Sequence, residues 1–186
     1  MLSDIQLVKL AKDGHLNAFE SLVTKYKDKV FNIAFSFTSN YSESDDIAQN
    51  VFLKVYSNLD SFEEKSAFST WLYRITVNEC YNILKKRKKN TVSLETEIKD
   101  KNDISLKDVL ADPNADVEQN SISAETQSMI RKALLELPEK YRMIVTLRDI
   151  EDISYEEIAQ IMKISDAKVK VWLFRARNKL KSIIKI

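Results

Sequence analysis

Apolar residues recur at helical spacing along most of this chain. The longest regular run begins near Asn17, where apolar side chains return every three or four residues for about five turns, which places them on one face of an α-helix. These residues are Phe19, Leu22, Val23, Tyr26, Val30, Ile33, Ala34 and Phe37. The pattern therefore predicts a long amphipathic helix.

Three further helices are predicted in the first half. Ser3 and Gln6 have capping-box spacing for a helix that precedes the long one, and Gly14 is placed for a left-handed C-cap. Ser44 is predicted to cap a third helix with Ile47, Ala48, Val51, Phe52, Val55 and Leu59 on its apolar side. A fourth is predicted over about 67–89, with Phe68, Trp71, Leu72 and Ile75 buried and a basic tail at 85–89. Residues 1–90 are thus predicted to form one helical domain.

The periodicity is lost over residues 91–123. This segment is rich in Asp, Glu, Asn, Ser and Lys and contains Pro113. Its scattered aliphatic residues cannot bury much surface, although a short helix at 105–111 is compatible with the pattern. The segment is predicted to be a flexible acidic linker.

Helical spacing returns in residues 124–186. Ile130, Ala133, Leu134 and Leu137 mark one helix, and Pro138 is predicted to be the first residue of the next. Ser154 and Glu157 have capping-box spacing, and a short turn at 163–165 leads to a helix that starts near Asp166. The apolar face of this last helix is Val169, Leu173, Ala176 and Leu180. The second domain is therefore predicted to end in a helix-turn-helix.

Composition supports the same fold class. The chain of 186 residues contains one Gly and two Pro, and strands with tight turns normally use more of both. The predicted fold is all-α, with two small helical domains joined by a flexible acidic linker.

Charge is unevenly distributed behind a net value of +1. Residues 1–90 carry thirteen bases and eleven acids (+2), residues 91–125 three and nine (−6), and residues 126–186 thirteen and eight (+5). Residues 163–186 alone carry eight bases and one acid. A basic helix is more often only a solvated face. Here it is the second helix of a helix-turn-helix, which enters a DNA major groove, so DNA binding is predicted.

Several classes of site and location are excluded at this stage. Cys80 and His15 are the only residues of their kinds, so the chain cannot form a disulfide framework or a Cys/His zinc site by itself. No catalytic constellation is evident, and no enzyme activity, metal or cofactor is expected. Neither a signal peptide nor an apolar run of about 18 residues is present, so we expect a cytoplasmic protein without membrane insertion.

Four stretches together resemble the extracytoplasmic-function (group 4) sigma factors of bacterial RNA polymerase. They are residues 45–56, residues 68–75 followed by Asn78, residues 137–142, and the helix-turn-helix. In that family the corresponding segments dock on core polymerase, open and read the −10 element, form region 4.1, and read the −35 element. The resemblance implies a sigma factor that directs promoter-specific transcription initiation through −10 and −35 contacts.

The resemblance also implies site residues. Core polymerase binding is expected of Asp46, Gln49, Asn50 and Leu53. Contact with −10 DNA is expected of Phe62, Lys65, Ser66, Ser69, Arg74, Asn78, Lys85 and Lys86, the first four in a loop that captures a flipped base in the family. Contact with −35 DNA is expected of Asp166, Ala167, Lys168, Lys170, Val171, Arg175 and Arg177.

Expected partners follow from the same resemblance. They are core RNA polymerase, promoter DNA and a cognate anti-sigma factor, with the chain a monomer outside the holoenzyme and its linker threaded through a polymerase channel. Several positions depart from the family pattern. Val77 and Asn82 stand where Arg and Asp are common, and Lys163 replaces a turn glycine. Lys168, Val171 and Trp172 stand where Thr, Ser and Arg are frequent, and Trp172 is predicted to pack on the apolar face of its helix.

Two other functional classes fit parts of the pattern. One is a stand-alone helix-turn-helix repressor or activator, which would bind symmetric half-sites as a dimer. The other is a helical protein-binding module with incidental charge.

Overall fold

The computed structural model describes the backbone of residues 2–97 and 121–184, with side chains at 2–87 and 128–184. The first half contains α1 (Asp4–Lys12), α2 (Leu16–Thr38), α3 (Tyr41–Ser57), a 3₁₀ turn (Leu59–Ser61) and α4 (Phe68–Glu97). The second contains α5 (Ser121–Glu136), α6 (Glu139–Val145), a π turn (Thr146–Ile150), α7 (Tyr155–Met162) and α8 (Asp166–Ile184). Within these ranges the fold is all-α, as predicted.

Local signals set most helix ends. Ser3 with Gln6 and Ser154 with Glu157 form the predicted capping boxes, in which each serine accepts from a backbone N–H and the partner side chain accepts in return. Gly14 has φ +90°, the left-handed conformation predicted for it.

Two predicted boundaries are wrong. Asn40, not Ser44, caps α3 by accepting from the Glu43 N–H. Ser44 is instead fully buried, where its hydroxyl contacts the Thr38 hydroxyl at 2.6 Å and donates to the Asn40 carbonyl at 2.6 Å. Helix α4 continues to Glu97, and α5 begins at Ser121, so helix extends into both ends of the predicted linker. The rest of that linker, including the short helix considered at 105–111, lies outside the described residues.

The hydrophobic core is continuous through both halves. In the first half α2 packs against α1, α3 and α4, with Leu22, Val30, Ile33 and Val51 fully buried or nearly so. In the second half α8 packs against α5, α6 and α7 around Met143, Ile144, Ile158 and Leu173. Helix α4 also packs against α7, and α2 against α5 and α6, which joins the two small cores.

Polar contacts reinforce the junction between the halves. Lys29 on α2 donates to the Glu151 carbonyl at 3.2 Å. Arg142 on α6 donates to the Phe37 carbonyl at 3.4 Å, and Arg131 lies over the Phe35 ring at 5.2 Å. The second half is therefore supported by α2, through these polar contacts, as well as by α4.

Candidate nucleic-acid interface

Helix α8 is strongly basic, since it carries six of the twelve Lys and Arg residues at 128–184 and one acid. Val169, Leu173 and Ala176 are at most 1% exposed and bury one side of the helix. The Ser165 hydroxyl caps the helix by accepting from the Lys168 N–H at 3.3 Å. Because a major groove admits one α-helix, this geometry lets the first turns of α8 reach base edges.

The predicted −35 residues do not all share one environment. Asp166, Ala167, Lys168, Lys170, Val171 and Arg175 are exposed. Lys168 lies over the Trp172 ring at 5.0 Å. Arg177 is also exposed, but its guanidinium pairs bidentately with the carboxylate of Asp149, which lies on the π turn. Six of the seven therefore face solvent without such a pairing to another element in the described structure.

Trp172 packs as predicted. It is half-buried, with its ring edge-to-face with Tyr141 at 6.4 Å. Lys140 and Lys168 lie over its ring at 5.2 and 5.0 Å. The indole thus packs α8 against α6 and holds two cations next to the exposed side of α8.

Phe174 is an exposed residue that sequence reasoning missed. It is 67% exposed, three residues beyond Val171, which is 45% exposed. An apolar pair at i, i+3 on the solvent side of a basic helix was visible in the sequence. It gives the exposed side a hydrophobic component that could contact thymine methyl groups.

Helix α4 presents a second polar row. Arg74, Asn78 and Lys85 are spaced by four and seven residues and so lie along one side of the helix. Asn78, Lys85 and Lys86 are exposed. Arg74 is half-buried, and its Nε has no hydrogen-bond partner within the part of the chain that is described. The exposed polar and cationic groups of this row suit contact with a phosphate backbone, whereas the Arg74 Nε itself is buried.

The loop before α4 is only partly accessible. Lys65 is exposed and paired with Glu63, and Ser66 is half-buried. Ser69, predicted to lie in this loop, is the second residue of α4 and is half-buried as well. Ser69 is hydrogen-bonded to Tyr26. Phe62 departs from its predicted position, since it is 3% exposed and packs against Phe68 and Trp71 at 5.8 and 5.2 Å. A base could reach its ring only if this packing opened.

The exposed side of α3 forms a separate surface. Asp46, Gln49 and Asn50 are exposed around Leu53, which is 65% exposed. Gln49 donates to Asp45 at 2.8 Å. Tyr56, which sequence reasoning did not single out, is 48% exposed three residues after Leu53 and packs edge-to-face on Phe19 at 5.0 Å. These residues form a polar surface with an apolar centre, as a protein-docking face requires.

Two buried charges lie where the halves meet. Arg142 donates to the carbonyls of Leu134, Leu135 and Leu137 at the end of α5, and burial lowers its pKa. Glu151 is 6% exposed, and burial raises its pKa although an Asn32 hydrogen bond and the Lys29 charge oppose the shift. Arg142 thus joins α6 to the ends of α5 and α2, whereas the Glu151 carboxylate is buried at the junction with its Oε1 lacking a partner among the described residues.

Other kinds of site find no support in the described ranges. No group of three or more His, Cys, Asp or Glu residues there could hold a metal ion. No helix at 2–97 or 121–184 is long and apolar enough to cross a bilayer.

Comparison with protein-family models places two segments. Residues 22–90 match the Sigma-70 region 2 model, and residues 127–180 match the Sigma-70 region 4 model. The first contains the α3 surface and the α4 row, and the second contains α8.

Curated relatives match nearly the whole chain. The ECF RNA polymerase sigma factor SigW of Bacillus subtilis is 33% identical over 94% of this chain and 92% of its own length. The ECF RNA polymerase sigma-E factor of Escherichia coli is 34% identical over 99% of this chain and 97% of its own length.

Solved structures share the fold. CnrH in complex with the cytosolic domain of CnrY matches with a TM-score of 0.72 and 22% identity, covering 98% of this chain and 97% of that one. RpoE in complex with the anti-sigma factor NepR from Bartonella quintana matches with a TM-score of 0.71 and 24% identity, covering 90% and 97%. At these identities the likeness concerns the fold alone.

Proposed function

Because this chain belongs to the ECF sigma factors of RNA polymerase, we propose how its own residues divide the work of promoter-specific initiation. Residues 1–90 dock on core polymerase and engage −10 DNA, and residues 124–186 engage −35 DNA. The family assignment favours this function over a stand-alone helix-turn-helix regulator.

The α3 surface carries the docking proposal. Leu53 is 65% exposed, and Asp46, Gln49 and Asn50 surround it with groups that can pair across an interface. Burying an apolar centre supplies affinity, whereas the polar rim fixes the orientation of the partner. We propose that this surface binds core polymerase.

Run-off transcription with core polymerase tests the docking surface. Replacing Asp46 and Gln49 together with Ala should lower promoter-specific transcript yield at limiting sigma concentration, and excess protein should restore part of it. The control is Thr24→Ala with Asp28→Ala, which changes two exposed residues at similar spacing on α2 and should leave the yield unchanged. Equal yields from the docking variant and the unaltered protein would refute the assignment.

The DNA contacts are divided between α4 and α8. Ser69, Arg74, Asn78, Lys85 and Lys86 on α4, with Lys65 and Ser66 before it, are proposed to hold the −10 strand. Lys168, Lys170 and Arg175 are proposed to contact the −35 duplex backbone, and Asp166, Ala167 and Val171 to lie nearest the bases. Each lost phosphate contact should reduce the slope of log affinity against log salt concentration by about 0.9.

Regulation and location complete the proposal. CnrH and RpoE were each solved with a bound partner protein, and RpoE's partner is an anti-sigma factor. We infer that an anti-sigma factor likewise holds this chain inactive. The chain acts in the cytoplasm, as a monomer outside the holoenzyme, without a catalytic step or a cofactor of its own.

A further inference from the structure

Arg175 and Arg177 lie two residues apart on α8 but on different sides of it. Arg175 is four residues beyond Val171, which is 45% exposed. Arg177 is four residues beyond Leu173, which is 1% exposed, and directly follows Ala176, which is fully buried. Because residues four apart share a helix face, Arg177 lies beside the packed side and Arg175 on the solvent side.

Arg177 is held by the protein itself. Its Nε donates to Asp149 Oδ2 at 3.1 Å, and its Nη2 pairs with Asp149 Oδ1. Tyr155 at the start of α7 also interacts with it. The hydrogen bonds that Arg177 donates to Asp149 raise the pKa of Arg177. A bidentate pair fixes direction as well as distance, so it orients the two elements that it joins.

The acid is itself fixed in place. Asp149 lies on the π turn, which the bond from Glu151 N–H to the Thr146 carbonyl closes at 3.0 Å. Its neighbour Arg148 donates to the Ile153 carbonyl at 3.1 Å and to Asp152 at 3.0 Å. Arg148 also lies over the Tyr155 ring at 5.3 Å. These contacts hold the π turn and α7 together and so fix the position of the carboxylate that pairs with Arg177.

We propose that Arg177 is a positioning residue, whose ion pair with Asp149 sets the angle of α8 against the π turn and α7, and that it does not contact DNA. The inference rests on the proposed −35 binding by α8 and refines it. Arg175, on the solvent side, contacts a phosphate. The pair leaves 47% of the Arg177 side chain and 32% of the Asp149 side chain exposed, so its effect on global stability is small.

The test compares salt dependence of DNA binding among holoenzymes. The probe is a promoter duplex selected from a randomised library by the unaltered holoenzyme, and affinity is measured at several KCl concentrations. Arg175→Ala should reduce the slope of log affinity against log salt concentration by about 0.9. Arg177→Ala should weaken binding by about five-fold and leave the slope unchanged.

A charge exchange separates positioning from DNA contact. Asp149→Arg combined with Arg177→Asp keeps the net charge and can re-form the pair with reversed polarity. We expect it to restore most of the affinity lost in Arg177→Ala. A carboxylate at position 177 facing a phosphate would instead weaken binding further. Thermal unfolding of each full-length variant shows whether it is folded, and recovery in the exchange variant depends on a folded protein.

The outcomes distinguish this inference from the function on which it rests. A reduced slope for Arg177→Ala together with failed recovery would overturn the positioning role. An unchanged slope for Arg175→Ala would be a different result. It would contradict the proposed −35 binding by the solvent side of α8, on which the positioning role rests.

Discussion

Lys163 ends α7 in a conformation that glycine adopts at less cost. Its φ is +54°, in the left-handed region, and its N–H bonds back to the Ala159 carbonyl. The family pattern has glycine in this turn, and a side chain here carries a backbone penalty of about 1 kcal/mol.

Introducing a glycine at position 163 and removing the glycine at position 14 should change the free energy of unfolding in opposite directions. Lys163→Gly should raise the free energy of unfolding by about 0.5 kcal/mol, because relief of strain exceeds the added unfolded-state entropy. Gly14→Ala should lower it by about 1 kcal/mol through its φ of +90° alone, since a Cβ there meets no atom within 4 Å. Urea unfolding measures both. A loss of stability in Lys163→Gly would contradict the strain argument.

Glu151 makes stability depend on pH in the direction unusual for a carboxylate. Burial raises its pKa, and its Oε1 has no hydrogen-bond partner among the described residues. A group with a raised folded-state pKa opposes folding once ionised. Its penalty is therefore complete above the folded pKa and disappears as the pH falls toward the unfolded value of about 4.3.

Glu151→Gln should remove that penalty. At pH 8 we expect the variant to be about 1 kcal/mol more stable, or about 3 °C higher in Tm. The difference should shrink as the pH is lowered toward the usual range of a glutamate. Glu156→Gln on the exposed part of α7 is the matched control and should show neither effect. A difference that grows on acidification would reverse the assigned sign.

Among contacts between whole helices, those of Arg142 join the end of α5 to the end of α2. It donates to three carbonyls at the end of α5 and to the Phe37 carbonyl near the end of α2. A cation at a helix C-terminus satisfies carbonyls that have no partner within the helix and complements the helix dipole.

Arg142→Leu should be strongly destabilising. It leaves several buried carbonyls without their donor, for which we expect a loss of about 2–4 kcal/mol in urea unfolding. Arg131→Leu removes another arginine that contacts α2, but one that is exposed and lies over the Phe35 ring, so a loss of less than about 1 kcal/mol is expected. Similar losses in the two variants would show that the carbonyl contacts contribute little.

Helix ends were predictable from the sequence where the residues that determine them lie close together along the chain. The capping boxes at Ser3 and Ser154 were predicted correctly because both partners lie within four residues. Ser44 was assigned wrongly as a cap because Asn40, four residues earlier, is an equally good one. The extension of α4 to Glu97 was missed because residues 90–97 lack apolar periodicity and consist mostly of weak helix formers.

The site residues show the same dependence on distance. The face of α8 followed from spacing alone, and so did the exposure of Asp46, Gln49 and Leu53. The pairing of Arg177 with Asp149 joins residues 28 positions apart, and burial of Phe62 depends on Phe68 and Trp71 folding over it. Long-range packing of this kind has no periodic signal in a single sequence.

At the scale of the whole molecule, two halves with separate tasks pack against each other. Helix α4, which carries the row proposed to contact −10 DNA, packs against α7 of the helix-turn-helix, and Lys29 and Arg142 bond across the junction. The helices proposed to contact −10 and −35 DNA therefore belong to halves that are packed together in this arrangement.

Fluorescence energy transfer can follow this packing. Dyes attached to cysteines replacing exposed Lys27 on α2 and Lys132 on α5 report on it, in a Cys80→Ala background. Native Cys80 is 1% exposed, and burial raises its pKa to about 12, so it should label poorly even if retained. Transfer should be high in the free protein and fall when core polymerase is added. Unchanged transfer in an actively transcribing complex would contradict separation of the halves.

The packing of α2 and α4 against the second half can be compared with the spacing of the two promoter elements on DNA. Positions −35 and −10 are about 25 base pairs apart, or about 85 Å along B-DNA at 3.4 Å per step. Between Glu97 and Ser121 the chain has 23 residues, whose fully extended contour is at most about 80 Å. Two halves that stay in van der Waals contact are too short to reach both ends of this interval. The length of the connecting chain added to the dimensions of the two domains is enough to reach both. If the two halves bind the −10 and −35 elements as proposed, the contacts between them in the free protein must break when it engages a promoter.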